Sequence, residues 1–494
     1  MNDDTKIRLA VDCRGDLRKV ILDQMVKQSQ GRLEIALHLG HRDADFHAPC
    51  LHRMEVRYGG RGHLIARHRS RGADLPLLAS PHFHTLIEQA IDQMQRMAPA
   101  YRYRSHNLTN LQDYLDYYHI LADAMAQEIA DSGATHALFM NMPHLAYDVV
   151  FYQVARAMGL KTIVLCQTIF PNRFFSMAMM EEMGALIPDG RAFPPMPIEQ
   201  GTPPDLFYMD PRWQVAGKRG RITPRAVWNL LRHVVRREPL RLLDPVYLVR
   251  NLRRIAAIYG SLPDWRDPFA TFFHVNDLAY FEHLAEYEVA PVDLTVPYIY
   301  APLHNQPEMS TSSLGGAFRD QLLMIEALAA DLPEGWRIYV KENPRQGAFA
   351  RGPMFFHRLT RIRGVQLVPS DANSFELSGR AQFTATVTGT AGYEALRTGR
   401  PAMMFGNAWY KSLPGVVPYA PGLDFHTVAA TRLDHAELEA AAGQVTGRCH
   451  RGVIEPVYLG MVKDLDPQQN IREVAEQVLG LVEGRVAPTF GEPA

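Results

Sequence analysis

Residues 384–399 read TATVTGTAGYEALRTG. A β-branched run passes into small residues and then into a helical pattern, the strand–turn–helix signature of an α/β fold. Small residues let a backbone approach a ligand closely. The first turn of a helix presents unpaired N–H groups and a positive dipole end, which suits phosphate. Thr388, Thr390 and the amides of Ala391 and Gly392 are the candidate donors. Glu394, one turn in, is the candidate acceptor for a ribose hydroxyl. As structure alone, the same turn has Thr390 as N-cap and Glu394 as a first-turn charge.

Working outward, the alternation repeats in both directions. PYIYAP (297–302), RIYVK (337–341), 365–368 and 401–405 are expected strands, with helices over about 318–330 and 471–483. Further upstream, KIRLAVD (6–12), RLEIALHL (32–39), HALFM (136–140) and TIVLC (162–166) are expected strands, with helices near 108–130 and 147–158. Strands alternating with helices predict parallel sheets. The spacing predicts two α/β domains joined near Ala290: 1–290, 291–455, and a closing helix and tail over 456–494 that is expected to pack back on the first domain. An insertion over about 184–260 is first rich in Pro and Gly and then in Arg. The stretch 184–212 is expected to be a long surface loop. Over 219–259 apolar residues (Trp228, Leu230, Leu231, Val234, Val235) alternate with arginines, a pattern that fits either an anionic membrane surface or a solvated helix pair.

The chain has 494 residues, 47% hydrophobic and 21% charged, with a net charge of −1, which excludes wholesale disorder and argues against a nucleic-acid partner. The four cysteines, Cys13, Cys50, Cys166 and Cys449, form no CxxC pair and are expected to be free thiols in a reducing compartment. No run of apolar residues is long enough to span a membrane as a helix, and the polar, acidic N-terminus does not resemble a signal peptide. A cytoplasmic protein is expected, with peripheral contact at the inner membrane as its membrane option. The 20 histidines show no metal-ligand spacing and there is no GxGxxG, so neither a metal nor a resident cofactor is expected.

Three further strand ends carry polar groups, and in open α/β sheets ligands bind beyond the carboxyl ends of strands. VKENPRQ (340–346) supplies Lys341, Asn343 and Arg345. PLHNQPE (302–308) crowds His304, Asn305, Gln306 and Glu308 into one loop. NMPHLAYD (141–148) supplies His144 and Asp148 as candidate general bases, with Gln167 and Arg173 after the next strand. Each of these loops also has a plain structural reading as a turn, cap or solvated network.

In order, PLHNQPE, YVKENP (339–344), SFE (374–376), TVTGTAGYEAL (386–396), GRPAMMFG (399–406) and WY (409–410) resemble the bacterial capsule polysaccharide biosynthesis glycosyltransferases, which include enzymes similar to the Kdo transferases of capsule export. The resemblance covers roughly 297–410. It implies a GT-B-like fold, two Rossmann-like domains facing across a cleft, with the nucleotide-sugar donor in the C-terminal domain and a saccharide or lipid-linked saccharide acceptor and general base in the N-terminal one. It implies donor binding by His304, Gln306, Lys341, Asn343, Arg345, Ser374, Glu376, Thr388, Thr390, Gly392 and Glu394, and catalysis by His144 or Asp148 without a metal. Asn343 stands where related enzymes carry the histidine of a KEHP motif, so Lys341 or Arg345 is expected to supply the positive charge. A nucleotide-sugar epimerase of the same fold and an inactive polysaccharide-assembly scaffold are the alternative readings.

Overall fold

In the computed structural model, described residues are 6–13, 15–40, 48–55, 69–70, 83–96, 110–170, 172–187, 190–204, 239–250, 291–306, 308–343, 346, 351 and 353–491, with the single positions Trp228, Val235 and Arg253. Arg345, residues 205–212 of the Pro/Gly-rich stretch and most of the Arg-rich stretch lie outside them.

Two parallel-rich sheets organise the chain. The first contains β1 (Ile7–Asp12), β2 (Leu33–Gly40), β3 (Cys50–Glu55), β4 (His136–Phe139), β5 (Lys161–Gln167) and β6 (Arg173–Met177). With them are α1 (Asp16–Gln28), α2 (Phe83–Arg96), α3 (Leu111–Ser132) and α4 (Tyr147–Ala157). The second contains β7 (Tyr298–Pro302), β8 (Arg337–Lys341), β9 (Val365–Val368), β10 (Phe383–Thr386), β11 (Ala402–Met404) and β12 (Val416–Pro418). Its helices are α5 (Met309–Leu314), α6 (Gln321–Ala330), α7 (Pro353–Leu359), α8 (Ser374–Arg380), α9 (Ala391–Arg397), α10 (Phe425–Ala429) and α11 (His435–Arg448). The chain then returns to the first sheet through β13 (His450–Arg451) and ends on α12 (Pro467–Val482).

Strand orders are β13-β6-β5-β4-β1-β2-β3 and β12-β11-β10-β7-β8-β9. Every pair is parallel except β5–β6 and β6–β13. Central strands such as β4, buried at all four positions, are apolar apart from the leading His136 because helices cover both faces. These are the two Rossmann-like α/β sheets of the expected GT-B-like fold.

Local chemistry fixes the ends of the elements. Asn110 and Asp113 form a reciprocal capping box on α3, and Gly133 closes that helix in the left-handed conformation (φ 60°). The helix expected over 318–330 is instead a 3₁₀ turn at Gly316–Arg319 followed by α6. Asp320 adopts an extended conformation and its carboxylate accepts the N–H of Leu322, so a new helix starts there.

The return of the chain is tightly built. Gln167, at the end of β5, accepts the N–H groups of Ile454 (2.8 Å) and Glu455 (3.2 Å) and donates to the carbonyl of Arg173 at 2.8 Å. The buried Arg18 of α1 pairs with Glu455. Ser176 and His450 Nε2 are 2.6 Å apart across β6 and β13. The apolar stripe of α12, including Val474, Val478 and Leu481, joins the core formed by α1, β1 and β2.

The described part of the Pro/Gly-rich stretch has no regular structure, as expected, but it packs closely. On α11, Gly443 and Gly447 leave room for Pro194–Pro195 and for the ring of Phe193. A Cβ on Gly443 would lie 2.9 Å from Pro195 Cα, and one on Gly447 2.7 Å from Phe193 Cβ. Gly443→Ala must push backbone away, and it is expected to cost about 1–3 kcal/mol of stability. An unchanged midpoint in denaturant unfolding would show that the strap yields freely.

Candidate functional site

The carboxyl ends of β7, β8 and β10 bring together two polar clusters. The first is centred on His304, just beyond β7. Its Nε2 lies 3.1 Å from the N–H of Val387 and 3.1 Å from Thr386 Oγ1. A backbone N–H can only donate, so Nε2 is the acceptor and the neutral ring carries its proton on Nδ1. Burial, reinforced by the positive charge of Arg351, pushes the imidazole down to about 3, so the ring is neutral at physiological pH. Gly389 lies against the ring: a Cβ there would be 2.5 Å from Nδ1. The bare face of the glycine turn therefore exposes the one imidazole edge that still carries a proton.

The loop that holds His304 is braced from behind. Arg351 donates to the His304 carbonyl at 2.6 Å and to Glu342 Oε2 at 2.7 Å, a fully buried ion pair. Gln321 bonds both backbone groups of His304. Gln306, expected as a donor ligand, serves this brace: its N–H bonds Gln346 Oε1, its carbonyl accepts from Gln346 Nε2, and its side-chain amide reaches the carbonyl of Arg319. Asn343 donates its N–H to Glu342 Oε1 at 2.7 Å.

The second cluster is Lys341, Ser374, Glu394 and Tyr300. Lys341, nearly buried at the end of β8, donates from Nζ to Ser374 Oγ at 2.6 Å. Glu394 is buried on α9. Burial raises its carboxyl above the ordinary range, opposed by the charges of Lys341 and Arg397. The hydroxyl of Tyr300 is fully enclosed near Ser374 without a well-formed hydrogen bond, and burial raises it.

Between these clusters lies the turn 388–392. Thr388 Oγ1 is 3.1 Å from Thr311 Oγ1 and 3.3 Å from Ser310 Oγ. Thr390 occupies the N-cap position of α9, and its side chain makes no cap bond. The N–H of Gly392 bonds the carbonyl of Gly389 at 3.3 Å, and its missing side chain makes room for Tyr410, whose ring carbon would lie 2.9 Å from a Cβ there. Glu376 stands apart from the site, exposed and paired with Arg380 at 3.4 Å on the surface of α8.

Across the junction, His144 follows β4 in the first domain. Its Nδ1 lies 2.7 Å from the Met142 carbonyl and so carries a proton, which makes Nε2 the basic nitrogen of the neutral ring. Asp148, fully buried, accepts the N–H groups of His144 (3.0 Å) and Leu145 (2.6 Å) through Oδ1. It shapes the loop that leads into α4. The two domains meet here. Ser313 of α5 donates to the Pro143 carbonyl, and Gln93 of α2 both donates to the Ser312 carbonyl (3.2 Å) and accepts from the N–H of Ala146 (3.2 Å).

The residues missed in the sequence are Tyr300, Arg351, Thr386 and the pair Ser310–Thr311. Tyr300 and Thr386 were visible as polar residues inside expected strands. Arg351 reaches back 47 residues to His304 from a stretch without pattern.

Residues 309–445 match the sequence model of the capsule polysaccharide biosynthesis protein family. The resemblance seen in the motifs is borne out over this segment. Among solved structures it is similar to KpsC of Thermosulfurimonas dismutans, a β-Kdo 2,7 transferase, at 12% identity over 75% of this chain and 90% of that one (TM-score 0.31). It is also similar to the UDP-GlcNAc 2-epimerase of Methanocaldococcus jannaschii, at 9% identity over 88% and 97% of the two chains (TM-score 0.24). Anabaena Alr3699/HepE, solved in complex with UDP-glucose, is similar at 10% identity over 97% and 95% (TM-score 0.24). No curated protein matches the chain.

Two outcomes follow from the buried groups. Glu342→Gln leaves Arg351 buried without its counter-charge and should destabilise the protein by about 3–5 kcal/mol; a loss below a quarter of that in denaturant titration would show that the pair is not structural. His304 takes up a proton in the unfolded chain near pH 6.5 but not in the folded one until about 3. Its contribution is therefore complete above about pH 6.5 and falls on acidification, by up to about 1.4 kcal/mol per pH unit. His304→Asn should flatten the acid limb of the stability–pH curve by that slope. An unchanged limb would assign the acid sensitivity to other groups, such as His136 and His450, which burial holds at about 4.

Proposed function

We propose that the protein is a metal-independent glycosyltransferase of capsular polysaccharide assembly. It takes a nucleotide-sugar donor in the domain proposed over 291–455 and moves the sugar to a saccharide or lipid-linked saccharide held by the domain over 1–290. The observation that carries this reading is the convergence of Lys341, Ser374, Glu394 and the His304–Gly389 turn at adjacent strand ends, all but His304 within the segment that matches the capsule family.

Glycosyl transfer breaks the bond from the anomeric carbon to the phosphate oxygen, and the leaving phosphate keeps the electron pair. The acceptor oxygen bonds the anomeric carbon as its proton passes to a base. Negative charge grows on the leaving oxygen, and preorganised donors stabilise it. In this reading the His304 Nδ1–H, the Thr388 hydroxyl and Lys341 Nζ are those donors. Glu394 accepts from the ribose, and His144 Nε2 is the base. Asp148 orders the loop that presents His144, and its two backbone hydrogen bonds favour that role over direct proton transfer.

A second element of the reading is peripheral contact with an anionic membrane. Trp228, Val235, Leu240, Leu243, Val246 and Val249 are exposed apolar side chains within or beside the Arg-rich stretch, and Leu240 and Leu243 are each 79% exposed. Among the described residues no helix is long and apolar enough to cross a membrane.

A thermal-shift screen against CMP-, UDP-, GDP- and dTDP-sugars tests the donor site: one class should raise the melting temperature, and no shift with any of them would refute it. Glu394→Ala should weaken binding of that nucleotide sugar by about 1.5–3 kcal/mol, measured by calorimetry. His144→Ala should lower turnover about 10²–10⁴-fold while donor affinity stays close to wild type. Wild-type turnover in that variant would move the base elsewhere in the first domain.

A further inference from the structure

Three tyrosines pack together under α8 on one face of the second sheet: Tyr298 and Tyr300 of β7, and Tyr339 of β8. All three are fully buried. Two of their hydroxyls are bonded: Tyr298 donates to the Leu377 carbonyl at 2.8 Å, and Tyr339 to the Asp293 carbonyl at 2.7 Å. The hydroxyl of Tyr300 is enclosed and has no hydrogen-bond partner. A buried polar group left unpaired bears its full desolvation cost, and such groups are rare. Packing does not account for this one, because a phenylalanine would fill the same space without that cost.

Its position does. Side chains alternate along a strand, so Tyr300 lies on the face that α8 covers, one step beyond Tyr298 toward the carboxyl end of β7. In register, Tyr300 stands opposite Tyr339, and Pro302 stands opposite Lys341. Tyr339 and Lys341, two residues apart on β8, share that same face. α8 runs back across it: Leu377 lies over Tyr298, and Ser374, one turn earlier, lies over Lys341, whose Nζ donates to Ser374 Oγ at 2.6 Å. Tyr300 therefore rises between these two contacts, and its hydroxyl comes up beneath the first turn of α8, beside the Lys341–Ser374 bond.

We propose that Tyr300 is a positioning residue of the donor site: its hydroxyl is the partner that Ser374 takes up when the Lys341 ammonium turns from Ser374 to the donor's phosphate. This rests on the donor site proposed above. An ammonium only donates, whereas a serine oxygen accepts from either neighbour. With Nζ on Ser374, the phenol is left unpaired. With Nζ on a phosphate oxygen, the Tyr300 O–H donates to the Ser374 Oγ that the lysine has left. One bond and one unpaired hydroxyl thus become two bonds. The phenol disfavours the arrangement in which the lysine is held on the protein and favours the one in which it is held by the ligand. It raises affinity without touching the nucleotide.

Tyr300→Phe separates this role from a structural one. Without nucleotide, the variant should melt at the wild-type temperature or above it, since only an unpaired hydroxyl is lost. In calorimetry with UDP, CMP, GDP and dTDP as probes, whichever nucleotide the wild type binds should bind the variant about 3–10-fold more weakly. That loss should vanish when Tyr300→Phe is made in a Ser374→Ala background, because the two hydroxyls act as a pair. A lowered melting temperature or failure to fold without nucleotide overturns the proposal, since the hydroxyl then stabilises the fold itself. Unchanged affinity overturns it, as does an equal loss in the Ser374→Ala background, which would give the phenol another acceptor such as Glu394. Each of these leaves the donor site standing. Failure of all four nucleotides to bind the wild type overturns the donor site, and this proposal with it.

Discussion

The strand ends of the second sheet depend on one imidazole that must stay neutral. His304 ties the end of β7 to the end of β10 because its Nε2 accepts a backbone N–H from Val387. A proton on Nε2 would set two donors face to face and part the loop from the turn. Burial opposes that proton, and Arg351, whose guanidinium holds the carbonyl of the same residue, opposes it again by its charge. Arg351 in turn needs Glu342 to remain buried at all. One ion pair therefore fixes the loop, the tautomer and the edge of the ring that reaches the glycine turn. Gly389 completes the arrangement by having no side chain to cover that edge.

The same economy governs the junction of the domains. α5 is only six residues long, too short to be stable alone, and its position is set by what it touches on each side. Its serines meet the loop after β4, where Ala146 sits at φ 68°, a conformation unfavourable for a residue with a side chain. Gln93 satisfies the N–H of that strained alanine and the carbonyl of Ser312 at once. Strain of this kind persists only where the surroundings over-determine it. Here it fixes the loop that carries His144 against α5.

The parallel strands were legible in the sequence because burial on both faces leaves an unbroken apolar run. β1, β2, β4, β5, β7, β8 and β9 fall within a residue or two of expectation. The antiparallel additions were not legible: β6 pairs with β5 and with the two-residue β13, and no local periodicity marks a partner for β13 more than 270 positions away. The short helices α5, α7 and α8 escaped for the same reason, since each is held by a cap or a neighbour and not by its own pattern. In the site, Lys341, Ser374 and Glu394 came from strand-end position and motif order, and the structure brings them together. Glu376 shares the SFE motif with Ser374 but points outward, because residues two apart on a helix do not share a face. Arg351 had no signal in the sequence, since its meaning lies in a partner distant along the chain, and Tyr300 was visible only as a polar residue inside an expected strand.

The charge balance of the pocket explains how Asn343 can stand where a histidine is usual. A cationic histidine at the end of β8 would lie one residue from Glu342, whose carboxylate is already committed to Arg351 and to the N–H of Asn343. The cation that faces the cluster is instead Lys341, bonded to Ser374 and close enough to Glu394 to lower the cost of burying that carboxylate. Lys341 and Glu394 offset each other, while His304 adds a dipole without a charge. Groups balanced in this way stay buried at little electrostatic cost. For the proposed donor site this leaves oriented N–H and O–H donors to receive a phosphate.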